Sequence, residues 1–189
     1  MTDGPILVAS AVSYALKAAA LVTPADLPRP TPCADWNVDQ LLRHLCDSVA
    51  AFDEALATGQ MSTADPGECP GPEPVELLRD RAANLLCTLF TCEERVIEVD
   101  GVPLPGGLAL AVGAMEIAVH GWDIYVACGQ GRAVPGAIAG PLARVQGQLV
   151  VDRQGLFASP VIVPPQAGPG DQLIAFLGRD PSARHDGYW

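Results

Sequence analysis

The chain contains little lysine, few aromatic residues and few charges of either sign. Aromatic residues make up 5% and charged residues 17% of its 189 residues, and Lys17 is the single lysine among 11 basic side chains. The 22 acidic side chains leave a formal net charge of −11. Because so acidic a chain repels phosphate backbones and anionic lipids, we expect neither a nucleic acid nor a membrane surface as a partner.

Cysteine is present, but without the spacing of a zinc site or a disulfide framework. The six cysteines are Cys33, Cys46, Cys69, Cys87, Cys92 and Cys128. No pair is spaced C-x-x-C, and a chain of this length that is 49% apolar can bury a core without crosslinks. The first residues, Met1 to Pro5, lack the positively charged start of a signal peptide. We therefore expect a cytoplasmic protein whose thiols are reduced.

Apolar residues recur at helical spacing along most of the chain. The pattern predicts helices over Ile6–Val22, Asn37–Gly59, Val75–Cys92, Leu108–Cys128, Gly136–Val151 and Gly170–Leu177. A β-hairpin is predicted between Val96 and Pro105, with its turn at Asp100-Gly101, and a short strand at Val161–Val163. The sum is an antiparallel helical bundle with an irregular, partly β-structured C-terminal tail.

Local signals add detail to two of these helices. Asn37 precedes the second helix and Gln40 follows three residues later, a spacing that fits a capping box. In the third helix, the apolar pattern predicts an inward face made of Leu77, Leu78, Leu85, Leu86 and Phe90.

The fourth predicted helix is apolar on every side. It is long enough to cross a membrane. It nevertheless contains Glu116, His120 and Asp123, has Gly113 and Gly121 in its interior, and lacks basic flanks. These features favour a buried central helix over a membrane span.

The residues best suited to chemistry gather on two of the predicted helices. Glu116 and His120 are four residues apart and Asp123 follows three residues later, so all three project from one side of the fourth helix. His44 lies at the flank of the apolar stripe of the second helix. If the two helices are neighbours, His44, Glu116 and His120 converge. Two imidazoles and one carboxylate leave an open position on Zn²⁺ or a similar divalent ion, which is typical of catalytic sites.

A plainer interpretation is also open. A Glu-x-x-x-His spacing often arises by chance, and Glu116 and His120 could form a simple ion pair. The cost of burying a carboxylate and two imidazoles favours a metal, because one cation compensates all three. Asp123 is then either the acceptor for an imidazole N–H or a surface residue, and we assign no separate catalytic residue. His185, in the tail, is expected to be solvated.

Two stretches of the sequence resemble the motifs of a known family. Residues 30–38 read Pro-Thr-Pro-Cys-Ala-Asp-Trp-Asn-Val and are followed by Leu-Leu-Arg-His-Leu at 41–45. Residues 116–123 read Glu-Ile-Ala-Val-His-Gly-Trp-Asp and are followed by Cys128-Gly129. With residues 171–181, these stretches resemble actinobacterial DinB-like metal-binding proteins, which are relatives of the N-terminal domain of mycothiol-dependent maleylpyruvate isomerase. The likeness extends from the first helix to about Pro181.

The resemblance implies an all-α fold: a DinB-like antiparallel four-helix bundle over residues 1–155, with a short C-terminal extension at 156–189 packed on it. It also implies a divalent metal, commonly zinc, on His44, Glu116 and His120. A low-molecular-weight thiol such as mycothiol would bind that metal as a thiolate and attack a small electrophile. A metal lowers the pKa of a thiol enough to supply this nucleophile at neutral pH.

The expected function is therefore a metal-dependent thiol S-transferase or thiol-dependent isomerase, with Arg95, Arg132 and Arg153 as candidates for binding an anionic thiol or substrate. The family's isomerase has a larger C-terminal domain than this chain, and Cys128 stands where the motif usually has Thr, which speaks against maleylpyruvate itself as substrate. Two alternatives are a tailoring lyase or cyclase of secondary metabolism and a non-catalytic metal-binding stress protein. A homodimer is compatible with the apolar composition.

Overall fold

The helices of this protein surround one central helix. The computed structural model describes residues 4–33, 36–61, 73–91, 96–150 and 157–184. Within these ranges its elements are α1 Gly4–Ala19, α2 Val38–Thr58, β1 Gln60–Met61, α3 Pro74–Thr91, β2 Ile97–Val99, β3 Val102–Leu104, α4 Gly106–Ala127, α5 Gly136–Leu149, α6 Pro169–Phe176 and a 3-10 turn at Pro181–Arg184. This mostly helical architecture confirms the expected DinB-like fold with a short mixed tail.

The central helix, α4, is buried on nearly every side. It packs along α1 over its length and also contacts α2 and α5. Gly121 permits the close approach of α1, because a Cβ atom at this position would lie 3.0 Å from the Cα atom of Ala15. By length and composition α4 could cross a membrane, but 78% of its apolar window is buried inside the protein. The prediction of a buried central helix is confirmed.

Helix α2 begins and ends with the signals that its sequence predicts. The Asn37 side chain accepts a hydrogen bond from the Gln40 backbone N–H at 2.9 Å, and the Gln40 side chain accepts one from the Asn37 N–H at 3.0 Å. Gly59 ends the helix in the left-handed conformation, with φ of 80°. These caps set the ends of α2, and the packing of its apolar stripe buries Leu41 and Leu45 and leaves His44 at the edge of the apolar face.

A small sheet covers one end of α2 and α4. Strands β2 and β3 form the predicted hairpin, and its turn residues Asp100 and Gly101 have φ of 48° and 82°, which suits a tight two-residue turn. Strand β1 pairs in parallel with β2 and was not predicted, because two residues directly after a helix carry no strand pattern. Ile97 packs on Ala55 of α2 and Ala109 of α4 and so attaches the sheet to the bundle.

The prediction that Phe90 faces inward is wrong. Its side chain is 63% exposed. The buried stripe of α3 consists of Leu78, Ala82, Leu85 and Leu89, spaced by four, three and four residues, so that Phe90 lies one position beyond it. Cys87 of the same helix is also exposed.

The prediction of a strand at Val161–Val163 is also wrong. This segment runs beside α6, where the Val161 N–H donates to the Ala175 carbonyl oxygen at 2.9 Å, and Ile162 is 97% exposed. Prolines at 160 and 164 flank it and cannot donate to a β-ladder. The first helix differs in its bounds as well: it spans Gly4–Ala19 and ends before Val22.

Candidate metal centre

Helix α4 supplies two of the predicted ligands. Glu116 and His120 project from one side of this helix, one turn apart, and the Nε2 atom of His120 lies 3.1 Å from the Oε1 atom of Glu116. The side chain of His120 is 6% exposed, whereas that of Glu116 is 31% exposed. The pair therefore extends from the core of the bundle towards its surface.

Helix α2 supplies the third predicted ligand. His44 lies at the edge of the buried face of α2, and its Nε2 atom is 2.8 Å from Glu116 Oε1. Ser48 follows one turn later and its hydroxyl donates to the same oxygen at 3.3 Å. Glu116 Oε1 thus accepts hydrogen bonds from both helices.

These three side chains form one cluster. The ligand atoms of His44, Glu116 and His120 all lie within 4.8 Å of one another. The two imidazole rings meet edge to face, with centroids 5.0 Å apart. The structure therefore brings together the three residues that the sequence singled out as ligands, although 72 positions separate His44 from Glu116.

A buried ion pair of Asp123 and Arg179 contacts the Nδ1 side of the His120 ring. The Oδ2 atom of Asp123 lies 3.1 Å from His120 Nδ1. Arg179 donates to both carboxylate oxygens of Asp123, from Nε at 2.9 Å and from Nη2 at 2.8 Å. The Asp123 side chain is fully buried and that of Arg179 is 9% exposed. An Nδ1–H that donates to Asp123 leaves His120 Nε2 as the nitrogen for a ligand bond.

The charges in the cluster perturb one another. Burial alone would raise the pKa of Glu116, but the positive charge of His120 and hydrogen bonds from His120 and His44 hold this pKa well below its ordinary value. Burial alone would lower the pKa of His120, but the Glu116 charge and the hydrogen bonds to Asp123 and Glu116 raise this pKa to about 9. Burial would also raise the pKa of Asp123, which the charge of Arg179 instead lowers. Without a cation, a proton on His120 balances the Glu116 carboxylate.

A short loop before α2 packs the Trp36 ring against the cluster. The buried Thr31 side chain holds this loop, since its hydroxyl donates to the Trp36 carbonyl oxygen at 3.0 Å and accepts from the Cys33 N–H at 3.2 Å. The Trp36 ring then lies against the His44 ring, with centroids 4.4 Å apart. The loop thereby restricts the orientation of the more exposed imidazole.

Cys33 belongs to a second possible ligand set. Its sulfur lies within 4.8 Å of ligand atoms of His120 and Asp123. Burial raises the pKa of Cys33 to about 11, and the Asp123 charge adds to this effect, so the thiol keeps its proton at neutral pH. Because Asp123 is already bound by Arg179, the set of His44, Glu116 and His120 is better suited to a cation.

The structure places the other predicted residues away from this cluster or does not describe them. Arg132 lies over the Tyr125 ring, with its guanidinium carbon 5.7 Å from the centroid, and its carbonyl oxygen accepts a hydrogen bond from the Tyr14 hydroxyl. No contact joins Arg132 to the described residues of the cluster. Arg95 and Arg153 lie outside the described residues. Cys128 is near Asp26 and Arg29, and burial raises the pKa of its thiol to about 11.

Arg179 is the site residue that sequence reasoning missed. It follows Asp123 by 56 residues, so no local spacing connects the two. The sequence does contain an energetic signal for this contact. A carboxylate buried in an apolar helix needs a compensating cation, and the chain has only 11 basic side chains that could supply one. Ser48 and Trp36 were missed as contributors because their roles depend on how α2 is rotated and on the loop that precedes it.

Comparison with known proteins gives three findings. A family model described as the mycothiol maleylpyruvate isomerase N-terminal domain matches residues 8–125. Two uncharacterized proteins of Mycobacterium tuberculosis, from strains CDC 1551 / Oshkosh and ATCC 25618 / H37Rv, are each 26% identical over 164 residues, which cover 79% of this chain and 83% of theirs. A crystal structure of the mycothiol-dependent maleylpyruvate isomerase is similar in fold, with a TM-score of 0.54 at 16% identity, over 74% of this chain and 66% of that one. The residues matched by the family model include His44, Glu116, His120 and Asp123.

Proposed function

The chain belongs to the mycothiol maleylpyruvate isomerase N-terminal domain family, and from this premise we propose that it is a thiol-dependent enzyme with a divalent metal on His44, Glu116 and His120. Its reaction is the transfer of a thiol sulfur to a small electrophile, or the thiol-dependent isomerisation of an activated double bond. The observation that carries this proposal is the convergence of two imidazole nitrogens and one carboxylate oxygen within 4.8 Å.

The donor set fits zinc. Imidazole and carboxylate ligands suit Zn²⁺, and two histidines with one carboxylate are a known catalytic arrangement with an open fourth position. The side chains of His44 and Glu116 are 36% and 31% exposed, so one side of the cluster is accessible to a thiol. This accessibility favours a catalytic site over a closed structural one.

An external thiol is the proposed nucleophile. When bound, Zn²⁺ supplies a lowered thiol pKa, so that a thiolate is available at neutral pH. The thiols of Cys33, Cys46 and Cys128 offer no substitute, because burial, which is partial for Cys33 and Cys128, raises the pKa of each to about 11. The family relationship favours mycothiol as this external thiol.

The residues around the ligands keep them in position. Asp123 accepts the Nδ1–H of His120 and so directs Nε2 towards the other ligands. Arg179 keeps Asp123 ionised in a place without water contact. The Ser48 hydroxyl orients the Glu116 carboxylate, and Trp36 packs against His44. Because these contacts already restrict the proposed metal-binding side chains, those side chains lose little conformational freedom when they bind a metal ion.

Both proposed reactions balance without an oxidant or a reductant. In a transfer, the sulfur–carbon bond forms, the leaving group departs with the electron pair of its bond, and the thiol proton passes to water. In an isomerisation, the sulfur adds to one carbon of the double bond while the π electrons move to the activating group. After rotation about the new single bond, the same sulfur–carbon bond breaks and the thiolate is released.

Thiol-dependent turnover tests the proposal. Untagged, zinc-loaded protein is incubated with mycothiol and 1-chloro-2,4-dinitrobenzene, and in parallel with maleylpyruvate. With 1-chloro-2,4-dinitrobenzene we expect a rate above the uncatalysed one that requires both thiol and metal, and that falls at least about tenfold in His120→Ala. The His185→Ala variant is the matched control. A protein that holds its metal but turns over neither substrate with any small thiol would contradict the enzymatic proposal and favour a non-catalytic metal-binding protein.

A further inference from the structure

A cavity of about 320 Å³ lies beside the candidate metal centre, between α2, α4 and the three-stranded sheet. Its edge at the centre is formed by Glu116 and Ser48. Its remaining walls are apolar and include Phe52, Ala55, Val99, Leu104, Ala109 and Ile117. A molecule in this cavity would lie directly next to the position proposed for the thiol.

The polar content of the cavity is very small. Among the lining residues that the structure describes, Ser48 and Glu116 alone carry polar side chains, and none is basic. These two are already hydrogen-bonded to each other at 3.3 Å. A carboxylate entering this space would lose its hydration, meet no cation on the described walls and face the Glu116 side chain. An uncharged apolar molecule would gain by leaving water.

The shape of the cavity limits the size of the ligand. Its volume is at the lower end of the range for small-molecule pockets. Gly113 sets one wall, because a Cβ atom there would lie 2.6 Å from the Phe52 ring. The glycine therefore allows this ring to pack against α4.

Two larger depressions on the surface are less suited to the electrophile. One is lined by acidic residues that include Asp47, Glu54 and Glu98, and the other lies between α1 and the residues around Arg132. Neither contains His44, Glu116 or His120 among its lining residues. Of these three spaces, the apolar cavity is the one whose lining residues include a member of the candidate metal centre, Glu116.

We propose that this cavity binds the electrophile and selects a small, uncharged, apolar molecule over a carboxylate. The reactive carbon would face the end with Ser48 and Glu116, and the apolar body would lie against the sheet. The identification of the ligand as an electrophile rests on the proposed function. Its chemical class rests on the cavity alone, so the two can fail separately.

A pair of unreactive isosteres tests the class of ligand. 4-Phenylbutan-2-one carries a methyl group where 3-phenylpropanoate carries a carboxylate oxygen, and neither molecule reacts with a thiol. Their binding to zinc-loaded and to metal-free protein is measured by NMR titration at neutral pH without thiol. We expect the ketone to bind at least about tenfold more tightly than the carboxylate in the metal-free protein, where no zinc ion at Glu116 can attract the carboxylate.

Two substitutions locate the binding. Ala109→Leu fills the cavity and is expected to weaken ketone binding about tenfold, whereas Ala83→Leu on the exposed side of α3 leaves it unchanged. Val112→Arg adds a cation at a lining position that is 37% exposed and is expected to strengthen carboxylate binding, whereas Val112→Gln does not. Circular dichroism of each variant verifies that it is folded.

The outcomes separate this inference from the proposed function. In the metal-free protein, carboxylate binding equal to or tighter than ketone binding overturns the inference, as does the absence of ketone binding or ketone binding that Ala109→Leu leaves unaffected. Ketone binding at the cavity in a protein without thiol-dependent turnover supports the inference and contradicts the proposed function. Turnover of anionic electrophiles in preference to uncharged ones supports the function and overturns the inference.

Discussion

Asp123 is a carboxylate that is fully buried because it has two compensating partners. Arg179 neutralises its charge through two hydrogen bonds, and His120 donates a third. Since a buried charge without a partner is costly, each member of this group depends on the others. The group connects the C-terminal segment to α4 at the point where α4 presents His120 to the cluster. We therefore expect stability and the proposed metal binding to be coupled through Asp123.

The Asp123→Asn variant tests this coupling. It leaves the Arg179 guanidinium buried without a counter-charge, so we expect a loss of about 3–5 kcal/mol in the free energy of unfolding. We also expect metal affinity to fall about 10–100-fold, because His120 loses the partner that orients it. Urea unfolding measures the first effect, and competition with a chromophoric chelator measures the second.

An exposed ion pair provides the control for that variant. Asp39 and Arg43 are paired at 3.0 Å on the surface of α2, and Asp39→Asn should cost about 0.5 kcal/mol or less. If Asp123→Asn is no more destabilising than Asp39→Asn, the coupled group described here does not exist in solution.

Residue spacing predicts part of the site, and the rest of the site depends on tertiary contacts. Glu116 and His120 fall on one helical face by their spacing alone, and His44 follows from its position at the flank of the α2 stripe. Arg179 does not follow from spacing, because its contact with Asp123 depends on where the chain after α5 returns to the bundle. The cavity is likewise not predictable from sequence, since it depends on the sheet that closes it.

At the scale of elements, the contact between α1 and α4 sets the position of the central helix. Gly121 lies in this contact, one residue after His120, and a Cβ atom at this position would lie 3.0 Å from the Ala15 Cα atom and 3.1 Å from the Tyr14 ring. A side chain at this position therefore requires α1 to shift away from α4 by a few tenths of an ångström. The position of His120 is consequently linked to the packing of α1.

The Gly121→Ala variant is expected to be destabilised by about 1–3 kcal/mol, because its Cβ atom would lie 3.0 Å from the backbone of Ala15. Gly147→Ala in α5 is the matched control: a Cβ atom there meets nothing within 4 Å, and alanine favours a helix over glycine by up to about 1 kcal/mol. Thermal unfolding of both variants measures the difference. A Gly121→Ala protein as stable as Gly147→Ala would refute the close helix contact.

Elements with strong local signals were predicted well, and those that depend on tertiary contacts were not. The capping box of α2 and the Asp100-Gly101 turn are local and appear as expected. Strand β1 exists because β2 lies beside it, and Val161–Val163 is not a strand because no strand among the described residues pairs with it. In α3 the helix itself is correct, but the choice of buried stripe depends on α2, and Phe90 is exposed as a result.

At the scale of the whole molecule, the cluster connects protonation, stability and metal binding. The pKa of His120 is raised from 6.5 to about 9 in the folded protein, mainly by the Glu116 charge against the opposing effect of burial. A raised pKa stabilises the folded metal-free protein below pH 6.5, and this contribution is lost as pH rises through about 9. A cation must displace the same proton, so metal affinity rises as pH increases towards that value.

We therefore predict opposite pH trends for the two forms. Between pH 6.5 and 9, the unfolding temperature of the metal-free protein falls with rising pH. Over the same range, the rise in unfolding temperature that saturating zinc causes becomes larger. Differential scanning calorimetry across this range measures both, with His120→Asn as the variant in which the first trend is abolished. A zinc-induced increase that is constant with pH would show that His120 is not a ligand.

Elemental analysis of untagged protein measures whether His44, Glu116 and His120 hold a metal ion. We expect about one divalent ion per chain. We also expect a metal content at least about tenfold lower in each of His44→Ala, Glu116→Ala and His120→Ala, and an unchanged content in His185→Ala. A His120→Ala protein that retains its full metal content would show that these three residues do not form the metal site.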